Sequence, residues 1–294
     1  MIARRAAAIL AVIAMCAIVV ACAGDAGARR AGSGVAATAV PVATATPGPP
    51  IATPVTPPPL KETFVYLLGG SSARECIVGN ADWTDQVERL GGDNIRAYDL
   101  GYHNQSFAMD VKLVRAMDAS PTVAFIGLSL GRFTGTPEEA QGQCDDQDAS
   151  RIIAMGAEVR HLFTESEVLS DGRKHRMLHR WVAERYPLFR QNYAFNVAGL
   201  EQLIRACKQR KFLPVLLELP VNFDVVGHAY DGPRTQYGDD ARKLAKRFRV
   251  PYLDFVSELK LPNAVFYDLM HLVGPGRAVW QKRLSREIIA LLER

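Results

Sequence analysis

Cysteine is scarce in this chain, with five in 294 residues. None forms a Cys-x-x-Cys pair and no His/Cys spacing suits zinc, so the sequence points to no metal site and to no cofactor. Charge of one sign is also lacking. The formal net charge is +4, and Arg4, Arg5, Arg29 and Arg30 lie ahead of the patterned region, which leaves the remainder close to neutral. Such a chain carries no electrostatic footprint for nucleic acid. The N-terminal apolar run is residues 6–20, about 15 residues against the ~20 of a membrane-spanning helix.

What is present begins with that run. Arg4 and Arg5 precede it, and it ends in Val19-Val20-Ala21-Cys22, small residues leading to a cysteine. The pattern resembles a bacterial lipobox: residues 1–21 are expected to be a signal peptide and Cys22 to become the lipidated first residue. The alternative is an ordinary signal peptide or an uncleaved anchor. Either way the remainder is expected to be exported, held at the outer face of the cytoplasmic membrane or in the cell envelope. Residues 22–60 are rich in Ala, Gly, Thr and Pro, without aromatic residues or apolar periodicity. They cannot bury enough surface to offset the entropy of ordering. Residues 47–59 are proline-dense and favour extended chain at ~3.1 Å per residue, for a linker reach on the order of 100 Å. One folded domain is expected over 61–294.

Within it, buried strands are expected at 63–68, 94–100, 122–128, 213–219 and 251–255. Helices are expected at 72–77, 83–90, 106–117, 152–164, 172–186, 192–211 and 234–248, with a last one opening at Gly274-Pro275. Residues 131–150, rich in Gly, Gln, Asp and Thr, read as a long loop. Strands alternating with helices imply βαβ units, a parallel sheet with helices on both faces, and ligands beyond the carboxyl ends of the strands.

Three post-strand sites carry candidate chemistry. Gly69-Gly70-Ser71-Ser72 follows the first strand, where glycines permit a sharp turn and a serine can project beside helix N–H groups. Most such sequences are simply turns. Asp268-Leu-Met-His271 precedes the last helix, and a carboxylate three residues before an imidazole can orient its Nδ1–H while Nε2 faces a serine. The bland reading has Asp268 capping a turn and His271 on the surface. Gly101 follows the second strand, with Asn104-Gln105-Ser106 opening a helix.

A serine after the first strand, a glycine after the second and Asp-x-x-His before the last helix together resemble the SGNH (GDSL-like) hydrolase family, over most of 64–294. The resemblance implies a three-layer flavodoxin-like α/β fold and serine chemistry on an acyl ester, with an acylated carbohydrate or small ester as substrate. Ser71 would be the nucleophile, with Ser72 as the alternative. His271 would be the general base and Asp268 its orienter, with the N–H groups of Ser71 and Gly101 as oxyanion donors. Two departures stand out. Gly70 occupies the position of the family's aspartate, and Gly127-Leu-Ser-Leu lacks the asparagine of its Gly-x-Asn-Asp, so Ser129 or Asn104 is the candidate replacement donor. The layout is also similar to exported proteins that move acyl groups on envelope polymers, such as the D-alanine transfer protein of teichoic acid, the likeness lying in 193–222. Cys76 and Cys144, both expected near the rim of this site, are the pair expected to bridge, and Cys207 is expected in the core. The basic cluster at Arg173, Lys174, His175, Arg176, His179 and Arg180 reads as a solvated helix face in preference to a site for anionic wall polymers, and Trp181, Tyr186 and Phe189 as core or lid-packing residues in preference to a sugar platform.

Overall fold

The computed structural model describes residues 62–118, 122–146, 148–155 and 162–293. The signal-like segment, Cys22 and the linker lie outside them. The strands are β1 (Thr63–Leu68), β2 (Ile95–Asp99), β3 (Thr122–Leu128), β4 (Leu213–Glu218) and β5 (Tyr252–Leu253). Between them come α1 (Ser71–Arg74), α2 (Asn80–Arg89), α3 (Phe107–Ala116), α4 (Pro137–Asp146), α5 (Ala149–Met155) and α6 (Asp171–Gln209). After β4 follow α7 (Phe223–Val226), α8 (Asp231–Phe248), α9 (Val256–Leu259) and α10 (Gly274–Leu292).

All five strands run parallel in the order β2-β1-β3-β4-β5. This is the doubly wound order whose direction reverses between β1 and β3, and the crevice beyond their carboxyl ends is the natural ligand site. β3 lies at the centre and every residue of it is buried, which is why Thr-Val-Ala-Phe-Ile-Gly-Leu is an unbroken run without polar alternation. Alternate strand residues supply two cores. Leu68, Ala124, Ile126 and Leu216 pack with Phe107, Leu113, Leu200, Leu203 and Tyr237 of α3, α6 and α8. Val65, Leu67, Val123, Phe125 and Leu217 pack with Trp83, Val87, Trp280, Leu284 and Ile288 of α2 and α10. The result is the three-layer α/β architecture expected.

Two expectations are corrected. Residues 172–186 and 192–211 belong to one helix of 39 residues that runs through Pro187. A mid-helix proline removes one backbone bond, but both flanks are pinned. Tyr186 donates to the Ala229 carbonyl, and Phe189, Asn192 and Asn196 are buried beyond it. The expected loop at 131–150 is largely helical. Thr136 and Glu139 form a reciprocal capping box, Thr136 N–H to Glu139 Oε2 at 2.9 Å and Glu139 N–H to Thr136 Oγ1 at 3.1 Å. Pro137 follows as the first helical residue, where its missing N–H costs nothing.

Under the carboxyl end of the sheet lies a buried ion pair, Asp110 of α3 with Arg132. Arg132 also donates to the Gly127 carbonyl at 2.7 Å and sits 3.9 Å over the Phe107 ring, and Gln105 donates to Asp110. Burial pushes the Asp110 carboxyl up and the Arg132 guanidinium down, each partly offset by the other. Replacing Arg132 with methionine leaves a buried carboxylate without its cation. Urea unfolding should show a loss of about 3–5 kcal/mol, far more than any change at the exposed Arg96–Glu88 pair.

Candidate active site

Gly69 leaves β1 with φ +155, and an added Cβ would lie 2.8 Å from that of Ala73. Glycine is therefore required for the chain to turn into α1. Ser71 opens that helix. Ala73 and Arg74 N–H both turn back to the Gly70 carbonyl, whereas Ser71 and Ser72 hold the first N–H positions of the helix, which have no intrahelical acceptor. Gly70, in contrast, has an ordinary φ of −79 and an added Cβ would meet only the Tyr102 carbonyl at 3.9 Å. The fold has room for a side chain there.

Residues 266–272 form a tight return, bridged Phe266 to Leu272 and closed by Tyr267 N–H to the His271 carbonyl at 2.8 Å. Asp268 and His271 face each other across it. Asp268 Oδ1 accepts from Met270 N–H at 2.9 Å and His271 N–H at 3.0 Å, and Oδ2 lies 2.8 Å from His271 Nδ1. Nε2 of the same ring lies 2.8 Å from Ser71 Oγ. Sequence reasoning places these three residues together and the structure does so, with Ser71 and not Ser72 meeting the imidazole. Burial tends to raise the Asp268 carboxyl, but His271 and the two backbone donors outweigh it and hold the group below the usual carboxylate range.

The return is anchored from three sides. Asn222, after β4, donates to the Asp268 carbonyl and to Asn263 Oδ1, both at 2.9 Å. Lys174, buried although expected on a solvated face, donates to the Phe266 carbonyl at 2.8 Å and to Asn263 Oδ1 at 2.6 Å. Arg277 in the first turns of α10 donates to the Leu272 carbonyl at 2.8 Å and to Glu75 at 2.9 Å. Glu75 in turn takes Arg74 at 2.9 Å. The Arg74–Glu75 pair is thus one half of a bridge between the start of α1 and the start of α10.

Two further expectations fail. Gly101 N–H is given to Asp99 Oδ1 at 2.7 Å, so it is not free to face an oxyanion. The glycine is there for space, since a Cβ would lie 2.7 Å from Arg74 N and 3.0 Å from the Gly70 carbonyl. Cys76 and Cys144 are not joined. The Cys76 thiol is wholly buried under α1, donates to the Ser72 carbonyl at 3.0 Å and is pushed well up by burial. Cys144 rides on α4, whose carbonyl at that residue accepts from Lys112 at 2.6 Å. Cys207 is buried in the core as expected.

Ser71 and His271 open into a cleft of about 600 Å³. Asn104, at positive φ, and the nearly buried Ser129 line it, as do His103, Gln143 and Glu139. The far wall is Met177, Arg180, Trp181, Glu184 and Arg185 of α6. Burial, Arg74 and His271 all lower the His103 imidazole. The α4 and α6 walls are not expected from sequence, although the Thr136-x-x-Glu139 box marks where α4 begins.

No protein-family model matches the sequence, and comparison with curated proteins finds no match. Among solved structures the chain is similar to Axe2, an acetylxylan esterase from Geobacillus stearothermophilus, in a catalytic mutant. There the identity is 13%, with 77% of this chain and 94% of that one covered, at a TM-score of 0.48. It is also similar to the acetyl xylan esterase AlAXEase, at 12% identity, 76% and 98% coverage and a TM-score of 0.45. A lipase/acylhydrolase from Enterococcus faecalis matches at 12% identity, 77% and 95% coverage and 0.42.

The depressed Asp268 carboxyl has a consequence for stability. Its contribution is complete above the unfolded value, about 4 for an aspartate, and is lost as pH falls through the lower folded value. In urea unfolding at stepped pH, the advantage of the native chain over Asp268→Asn should shrink steadily on the acid side of that point. A constant difference would show that the carboxylate is not held by His271 in solution.

Proposed function

We propose that this chain is a serine hydrolase of acyl esters that uses no metal or organic cofactor. In this reading it is exported and held at the outer face of the cytoplasmic membrane through Cys22, with acylated carbohydrate of the cell envelope as its substrate. The observation that carries the chemistry is the unbroken line from Asp268 Oδ2 through His271 to Ser71 Oγ at the head of the cleft.

Ser71 Oγ attacks the acyl carbonyl carbon while His271 Nε2 takes its proton. Asp268 fixes the Nδ1–H tautomer and stabilises the imidazolium. The bond to the alcohol oxygen then breaks and His271 protonates that oxygen, leaving acyl-Ser71. Water attacks the acyl carbon, its proton passes through His271 back to Ser71, and the carboxylic acid departs. A sugar hydroxyl in place of water makes the same acyl-enzyme a transferase. The N–H groups of Ser71 and Ser72 receive the oxyanion, with the Ser129 hydroxyl or the Asn104 amide as the side-chain donor. Gly101 has no part in that set.

A fluorophosphonate probe with mass mapping tests the nucleophile. The adduct should fall on Ser71 and disappear in His271→Ala, and Ser71→Ala should not cleave p-nitrophenyl acetate. A folded protein that gives neither adduct nor turnover would instead be a glycan-binding lipoprotein built on this fold. The occupied Gly101 N–H and the missing asparagine after β3 are the observations that favour that second reading.

The side-chain donor is separable by rate. Ser129→Ala should lower kcat about 10²–10³-fold with little change in KM if its hydroxyl serves. Asn104→Ala should do so if the amide serves.

A further inference from the structure

The N-terminal half of α6 forms the far wall of the cleft, and its composition is unlike the rest of the chain. Residues 171–190 carry six lysines and arginines against two carboxylates, a surplus equal to the net charge of +4 on all 294 residues. Arg173, Lys174 and Arg176 stand in the first two turns of the helix, where the aligned peptide dipoles disfavour cations. Lys174 is absorbed by Asn263 and Phe266. Arg173, Arg176 and Arg185 have no carboxylate partner among the described residues. Arg180 has, among the described residues, only the loose, exposed contact with Glu184 at 3.7 Å, which contributes little.

At 3.6 residues per turn, Arg173, Arg180 and Glu184 share one face with Met177, and Trp181 and Arg185 flank it. Arg180, Trp181, Glu184 and Arg185 all line the cleft. Trp181 is not merely packing. Its indole rests against Tyr230 at 4.9 Å and edge-on to Tyr186 at 6.0 Å, so it is fixed from behind while it borders open space. A fixed aromatic face beside guanidinium donors suits a ring with an apolar face and anionic substituents. An alkyl chain laid on the same wall would strip water from Arg180, Glu184 and Arg185 without replacing it.

We propose that the alcohol half of the ester is an acidic sugar, stacked on Trp181 and held by Arg185 and Arg180, while its acyl group lies at Ser71. This rests on the reading of Ser71 as the nucleophile, but the subsite can be tested without turnover. The anion is a carboxylate on the sugar or a phosphate esterified to it, and two probes separate these sources.

Deacylated uronic-acid oligosaccharides, glycosyl phosphates and neutral xylo-oligosaccharides are titrated into the full chain, with binding followed by tryptophan fluorescence. One acidic probe should bind at least about tenfold more tightly than the neutral one. That margin should shrink as salt rises and fall to near unity in Arg185→Gln. Turnover of the acetylated forms should show the same preference in kcat/KM. Equal binding of acidic and neutral probes by the native chain overturns the proposal, as does a preference that Arg185→Gln leaves intact. A fluorophosphonate adduct on Ser71 alongside equal binding would sink the subsite alone. Acid-selective binding without an adduct would retain the subsite and sink the nucleophile.

Discussion

Glu75 is completely buried, and everything at the mouth of the sheet depends on how it is satisfied. It accepts Arg74 on one oxygen and Arg277 on the other, so the helix that begins at Ser71 and the helix that follows His271 are tied together by one carboxylate. Ser71 and His271 are 200 positions apart in sequence. A hydrogen bond between them cannot organise itself from such a distance, because its modest net free energy is far below the entropy of ordering the loops that bear it. Arg277 closes the gap, since the same guanidinium also holds the Leu272 and Phe163 carbonyls. Phe163 in turn sits against the His271 ring at 5.6 Å and stacks on Tyr267. The imidazole is thereby confined on the side away from the cleft.

The opposite side of the site is organised by a second desolvated pair. Asp110 and Arg132 join the end of β3, through Gly127, to α3 and the loop that leads into it from β2, through Gln105. Such a pair adds little net stability over apolar packing, but it ties the Gly127 carbonyl near the end of β3 to α3. Ser129 and Asn104, the two candidate donors, stand on the segments so fixed. The Asp268–His271–Ser71 line and the loops bearing Ser129 and Asn104 are therefore tied by two separate buried ion pairs. The wall on α6 is a third unit, attached to the Asp268 return by Lys174 and Asn263.

The strands are plain in the sequence, because a central parallel strand buried on both faces must be almost wholly apolar, and in Thr122–Leu128 every residue after Thr122 is. Ser71, Asp268 and His271 are legible because each follows a strand or precedes a helix at a position the topology makes convergent. Pro187 misleads, since local propensity forbids a proline that tertiary burial on both sides can hold. Residues 137–146 escape notice because their composition is polar and outweighs the capping box at Thr136. Cys76 and Cys144 invite pairing through nearness to the site, yet nearness says nothing of direction, and Cys76 points under α1. Gly101 stands where the sequence places it but serves another purpose, because Asp99, two residues earlier, takes its N–H.

In the proposed reaction, that last point shifts the electrostatic work onto α1. With Gly101 engaged, the first positions of a four-residue helix offer backbone donors beside Ser71 Oγ. So short a helix sums few peptide dipoles, so its effect on a developing oxyanion is that of two oriented N–H groups and little more. Their direction matters more than any field, and it is set where the chain enters α1: by Gly69 at a φ open only to glycine, and by the Gly70 carbonyl that takes both Ala73 and Arg74 N–H. The Asp99–Gly101 bond belongs to the same construction. It draws the β2 loop tight enough for its backbone to pass beside Gly70 and Arg74, which no residue with a Cβ at 101 would allow. In the proposed reaction the site therefore gives up one donor in exchange for a rigid seat under the two on α1, and a side-chain hydroxyl or amide from the β3 or β2 loop would be the natural third.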